Sequence, residues 1–76
     1  MLVIIVKTSL EDHNLVVQIG DVLQSYSSIK SWSIDLDDED NVLRILASED
    51  ISSTLSAELS EKGVPCEVMG VFMTVN

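Results

Sequence analysis

The first seven residues (1–7, MLVIIVK) are almost continuously apolar and rich in β-branched side chains. That pattern predicts a central strand covered on at least one face. Residues 8–13 (TSLEDH) are polar and turn-like, with Ser9 and Asp12 available as helix N-caps. From about His13 to Tyr26 the period changes. Leu15, Val16, Ile19, Val22, Leu23 and Tyr26 fall on one face of a helix. Gly20 weakens that helix by about 1 kcal/mol relative to alanine and marks a close approach to the sheet. Ser25, Ser27 and Ser28 disfavour its continuation.

Trp32, Ile34 and Leu36 then alternate with Ser31, Ser33 and Asp35, the signature of a half-buried strand. The acidic run Asp37, Asp38, Glu39, Asp40, followed by Asn41, predicts a turn. Residues 42–47 (VLRILA) resume strand character, so the two segments form an antiparallel hairpin. Ser48, Glu49, Asp50 and Ser52 offer caps for a second helix, whose apolar positions Ile51, Leu55 and Leu59 are spaced by four. Lys62 falls in its last turn, Gly63 supplies a left-handed cap and Pro65 follows. Residues 66–75 (CEVMGVFMTV) predict the final strand. The order strand, helix, strand, strand, helix, strand predicts an α+β, ferredoxin-like βαββαβ sandwich. Its four-stranded antiparallel sheet carries both helices on one face, and residues 1–76 make a single domain.

That architecture leaves the second sheet face without cover. Both alternating sets of strand one are apolar: Leu2, Ile4 and Val6 on one side, Val3 and Ile5 on the other. Two readings stand. Either the face is a contiguous apolar patch buried by self-association, or twist and long side chains such as Arg44 shield it.

Composition narrows the function classes. The chain carries 13 acidic against 4 basic side chains, a net charge of −9. This excludes a nucleic-acid binder, which needs cations to displace counterions from phosphates. It equally excludes a polybasic membrane anchor. The apolar run 1–6 is too short to span a bilayer or drive secretion. One cysteine permits no internal disulfide, so a reducing, cytoplasmic setting is expected.

Beside this order, the run Ile29-Lys30-Ser31-Trp32-Ser33-Ile34-Asp35-Leu36 and the later Lys62-Gly63-Val64 resemble the heavy-metal-associated domain. That family includes copper chaperones and the N-terminal modules of copper-transporting ATPases. The resemblance runs from about Val3 to Val68. Family members carry Met-x-Cys-x-x-Cys on the loop after strand one. Counting back from Leu23 and Ile29 aligns Leu10 with the methionine, Asp12 with the first cysteine and Leu15 with the second. Both thiolates are absent. Leucine offers no donor atom, and aspartate is a hard oxygen ligand unsuited to soft copper(I). The resemblance therefore implies a scaffold without metal or other cofactor. Its partner-facing loop, residues 9–14, presents Leu10, Asp12 and His13, with Leu15 behind them, and the turn at residues 62–64 lies nearby.

Other sites are weaker. His13 is the one histidine; beside Glu11 and Asp12 it falls short of the three or four ligands zinc needs. Cys66 reads as a small buried hydrophobe. The acidic run lacks the glycine and distal glutamate of a calcium loop. No nucleophile–base order or phosphate loop suggests an enzyme. The expected function is a non-enzymatic interaction module that meets a protein partner or a second copy through the open sheet face or loop 9–14. Two alternatives stay open: an ACT-like ligand-sensing domain, although Thr8-Ser9-Leu10-Glu11 lacks that class's glycine, and residual metal binding or transport near Asp12, His13 or Cys66.

Overall fold

A computed structural model describes residues 1–8 and 14–74. The six elements follow the predicted order: β1 (Leu2–Thr8), α1 (Leu15–Gln24), β2 (Ile29–Ile34), β3 (Leu43–Ala47), α2 (Ser52–Glu61) and β4 (Cys66–Met73). The strands form one sheet in the order β2-β3-β1-β4, with every neighbouring pair antiparallel. β1 and β3 are central.

One face carries the core. Ile4 and Val6 of β1 and Leu43, Ile45 and Ala47 of β3 pack against Ile19, Val22 and Leu23 of α1 and Leu55 and Leu59 of α2. Both helices thus lie on one side of the sheet. Trp32 pairs with Ile45 in register and stands on this covered face, half-buried because its strand is outermost. A Cβ at Gly20 would lie 3.6 Å from Cζ2 of the Trp32 indole, an ordinary contact. The close approach expected at Gly20 is therefore to a ring, and packing alone does not demand glycine there.

Helix ends follow local chemistry. Gly63 has φ +83°, and its N–H bonds Ser60 O at 3.1 Å while Val64 N–H bonds Leu59 O at 2.9 Å. These two bonds close a Schellman motif, with Val64 and Leu59 both buried beneath it. Lys62 lies one residue beyond the helix, as its C-cap, rather than in the last turn. At the other end the N-cap is Ile51, and Asp50 just before it accepts Ser52 N–H at 3.0 Å and Ser52 Oγ–H at 2.7 Å. Those bonds hold its carboxyl below the usual carboxylate range.

Strand four departs from the alternation expected over 66–75. Ile5 pairs with Gly70 but Val6 pairs with Val68, so Met69 is an extra residue in a β-bulge. The bulge resets the parity: Val68 and Val71, an odd number apart, both pack on the core. β4 ends at Met73, and Val75 lies outside the described residues. β3 begins at Leu43 and α1 ends at Gln24, each short of its expected span, because Val42 bonds Asp35 N–H outside the ladder and Tyr26 N–H folds back to Leu23 O at 3.2 Å.

Candidate functional site at the end of the first strand

The described residues of the first strand end at Thr8, and that strand end is built in detail. Thr8 faces Cys66 of β4 in register on one side. On the other it meets the β2–β3 turn: its N–H bonds Asp40 O at 3.1 Å and its hydroxyl donates to Asn41 O at 2.6 Å. Thr8 and Asn41 are the two buried polar residues among those described. Asn41 adopts φ +43°, a left-handed conformation that asparagine tolerates better than branched residues. Its side-chain amide donates to Asp38 O at 3.0 Å and makes longer bonds of 3.5 Å to the carbonyls of Asp35 and Leu36.

The acidic turn is organised by its own carboxylates. Asp35 Oδ1 accepts N–H bonds from Asp37 at 3.0 Å and Asp38 at 3.2 Å, and Asp38 Oδ1 accepts one from Asp40 at 2.9 Å. Lys7 and Asp40 form an exposed ion pair at 3.4 Å. These oxygens bind backbone amides instead of converging on a cation. Among the described residues no group of three or more His, Cys, Asp or Glu is arranged to hold a metal. The sequence identified this turn but missed the role of Thr8 and Asn41. An asparagine closing an acidic run was the available signal, since asparagine favours turns that need positive φ.

Cys66 lies at the same end of the sheet, yet its thiol is directed elsewhere. It donates to Ser56 O of α2 at 3.6 Å. Burial pushes the thiol pKa up, and a hydrogen bond with Ser60 offsets this in part. A raised pKa keeps the thiol protonated, whereas metal ligation and nucleophilic attack need thiolate. Leu15 opens α1, half-buried against the core. Leu10, Asp12 and His13, with Ser9 and Glu11, lie outside the described residues.

The donor set does not fit copper(I). Soft copper(I) favours paired thiolates, and the chain has one cysteine, turned toward α2. Across the helices, Tyr26 Oη–H donates to Glu58 Oε1 at 2.7 Å. Burial, and then the bond and charge of Glu58, push the phenol pKa up to about 12. This pair ties the segment just after α1 to α2.

The open sheet face is partly closed by its own residues. Val3, paired with Leu46 and Phe72, is only 8% exposed, and Ile5 and Leu46 are half-buried. A shallow depression of about 330 Å³ remains, lined in part by Val3, Leu46, Arg44, Ser31 and Ser33. Exposed large apolar residues include Met69, Phe72 and Met73 on β4 and Val17 on α1.

No family model and no curated protein sequence matches the chain. Solved structures do. The solution structure of the yeast copper transporter domain Ccc2a, described in apo and Cu(I)-loaded states, aligns with a TM-score of 0.76 at 12% identity, covering 92% of this chain and 97% of that one. The Cu(I)-loaded first domain of the human copper chaperone for SOD1, CCS, aligns with a TM-score of 0.74 at 16% identity, covering 95% and 99%. Over nearly its whole length the chain has the ferredoxin-like fold of these heavy-metal-associated-type domains, and it carries that fold without a Cys-x-x-Cys pair.

Proposed function

We propose that the chain is a small, non-enzymatic protein-interaction module that uses a heavy-metal-associated-like scaffold without its copper cargo. One observation carries the reading. The chain shares the fold of copper(I)-carrying domains over nearly its full length, yet its single thiol is directed at the Ser56 carbonyl and its pKa is raised. What the scaffold offers a partner is the Thr8 end, where a hydrogen-bonded acidic turn adjoins the end of β1. Leu10, Asp12 and His13 fall in the segment between Thr8 and Leu15, and the acidic turn 35–40 beside Thr8 gives a protein partner an acidic surface to meet. Steering of a basic partner by that surface weakens as salt rises.

The test is a copper(I) titration against a chelator of known affinity under reducing conditions. The chelator is expected to retain the metal at stoichiometric protein. Uptake of one copper(I) per chain in competition with it overturns the reading.

A further inference from the structure

Register fixes what looks into the depression on the open sheet face. Leu43 and Ile45 of β3 pack on the core, so Arg44 and Leu46 face the other way. Arg44 lies opposite Ser33 of β2 and Ile5 of β1, and Leu46 lies opposite Ser31 and Val3. Met1 and Thr74 close the end away from Thr8. The depression, about 330 Å³, thus has an apolar floor of Val3 and Leu46 with a guanidinium and serine hydroxyls along one side.

The aromatic ring of this face is held clear of it. Phe72 pairs with Val3 in register, yet its ring lies over Gly70, where a Cβ would stand 2.8 Å from Phe72 Cζ. The absent side chain at Gly70 makes room for the ring beside Ile5, and the ring does not line the depression.

The polar groups that do line it are of one kind. Arg44, Ser31, Ser33 and Thr74 can all donate, and no carboxylate is among them. Among the described residues the Arg44 guanidinium forms no ion pair, and the hydroxyls of Ser31 and Ser33 make no hydrogen bond. Carboxylates are plentiful in a chain with 13 acidic side chains, but those on the adjoining strands are engaged elsewhere. Asp35, two residues beyond Ser33, accepts from the amides of Asp37 and Asp38, and Glu67 lies opposite Lys7. Free donors therefore converge on a floor with no acceptor charge of its own.

We propose that this depression binds a small monocarboxylate with an apolar body. The carboxylate takes the Arg44 fork together with the Ser33 hydroxyl, and the body lies on Val3 and Leu46. Residues directly opposite on paired strands have Cβ atoms about 5 Å apart, so Arg44 and Ser33 can reach one head group. The guanidinium fork matches a carboxylate with two parallel bonds. The net charge of −9 selects the valence: a dianion such as phosphate meets twice the repulsion for the same single cation. An apolar body adds attraction that this repulsion does not touch. Small-molecule sites start at about 300 Å³, which places the ligand at the small end. For a body of about eight heavy atoms on so open a floor, the dissociation constant is expected near 1 mM.

The site lies at the far end of β1 from Thr8 and goes beyond the interaction reading, so the copper(I) titration does not bear on it. The test is a nuclear magnetic resonance titration of the full chain with sodium hexanoate to about 20 mM, a range set by that affinity, at constant ionic strength. Saturating amide shifts are expected at Val3, Ser31, Ser33, Arg44 and Leu46. Hexanamide keeps the body without the charge, acetate keeps the charge without the body, and inorganic phosphate offers a second anion; each is expected to bind about tenfold more weakly or less. Arg44→Gln is expected to weaken hexanoate binding by about tenfold or more, with the fold intact by circular dichroism because the side chain is exposed. Lys62→Gln, a cation lost elsewhere, is expected to leave it unchanged. No saturation, shifts centred on another part of the chain, an equal response to hexanamide, or unchanged affinity in Arg44→Gln overturns the proposal. Tighter binding of phosphate than of hexanoate overturns it as well, since the apolar body would then contribute nothing.

Discussion

At the scale of single residues, the decisive groups at the Thr8 end are neutral. Asn41 holds a left-handed turn and donates its amide to neighbouring carbonyls, and Thr8 closes the same turn from the sheet. Thr8→Val keeps the shape but leaves Asn41 O without its hydroxyl donor. It is expected to lower the unfolding free energy by about 1–2 kcal/mol, measured by urea denaturation. Tyr26 is the titratable counterpart. Its pKa is about 12 in the folded chain against 10.0 unperturbed, so the folded state holds the phenol proton more tightly. The stabilisation is complete below pH 10 and is lost as pH rises from 10 to 12. Ultraviolet absorbance is expected to show tyrosinate forming only near the upper end of that window, and Tyr26→Phe is expected to flatten the fall in stability across it.

At the scale of elements, two glycines in helical contexts do opposite things. Gly63 ends α2 with φ +83°, a conformation that disfavours any Cβ. Gly20 sits inside α1, where a Cβ would make an ordinary contact with Trp32. The same substitution should therefore change sign. Gly63→Ala is expected to lower stability by about 1–2 kcal/mol, and Gly20→Ala to raise it by about 0.5–1 kcal/mol. Thermal midpoints of the two variants, measured side by side, check both. β4 shows the other way an element escapes its local pattern. The bulge at Met69 lets Val68 and Val71 both reach the core, and the strand beyond it emerges as a free apolar edge.

At the scale of the molecule, charge opposes compactness. Five of the acidic residues lie in the segment 35–40, where self-capping turns and the Lys7–Asp40 pair absorb only part of their repulsion. The rest is long-ranged and screened by salt. Raising ionic strength from about 0.01 to 0.15 M shortens the screening length from about 30 to 8 Å. The thermal midpoint of the chain, measured at low protein concentration, is expected to rise over that interval. A flat or falling midpoint would show that the acidic groups are already balanced within the fold.

The element order and the helix-covered core were legible in the chain because hydrophobic period is a local property. Leu43 and Ile45 declare their face against Arg44, and Leu55 and Leu59 by their spacing, whereas strand one is apolar on both faces and only packing put Ile4 and Val6 toward the helices. The lack of paired thiols was equally legible, since a count of one cysteine needs no coordinates. Other features were settled only by contacts between segments distant in sequence. Thr8 and Asn41 are 33 residues apart, and neither signals its buried partner. Cys66 could have faced the loop or the helix, and the packing of α2 on β4 decided for the helix. The bulge exists only relative to the register of β1, and β4 is an edge only by its place in the sheet order, so both are properties of the paired sheet and of no segment alone.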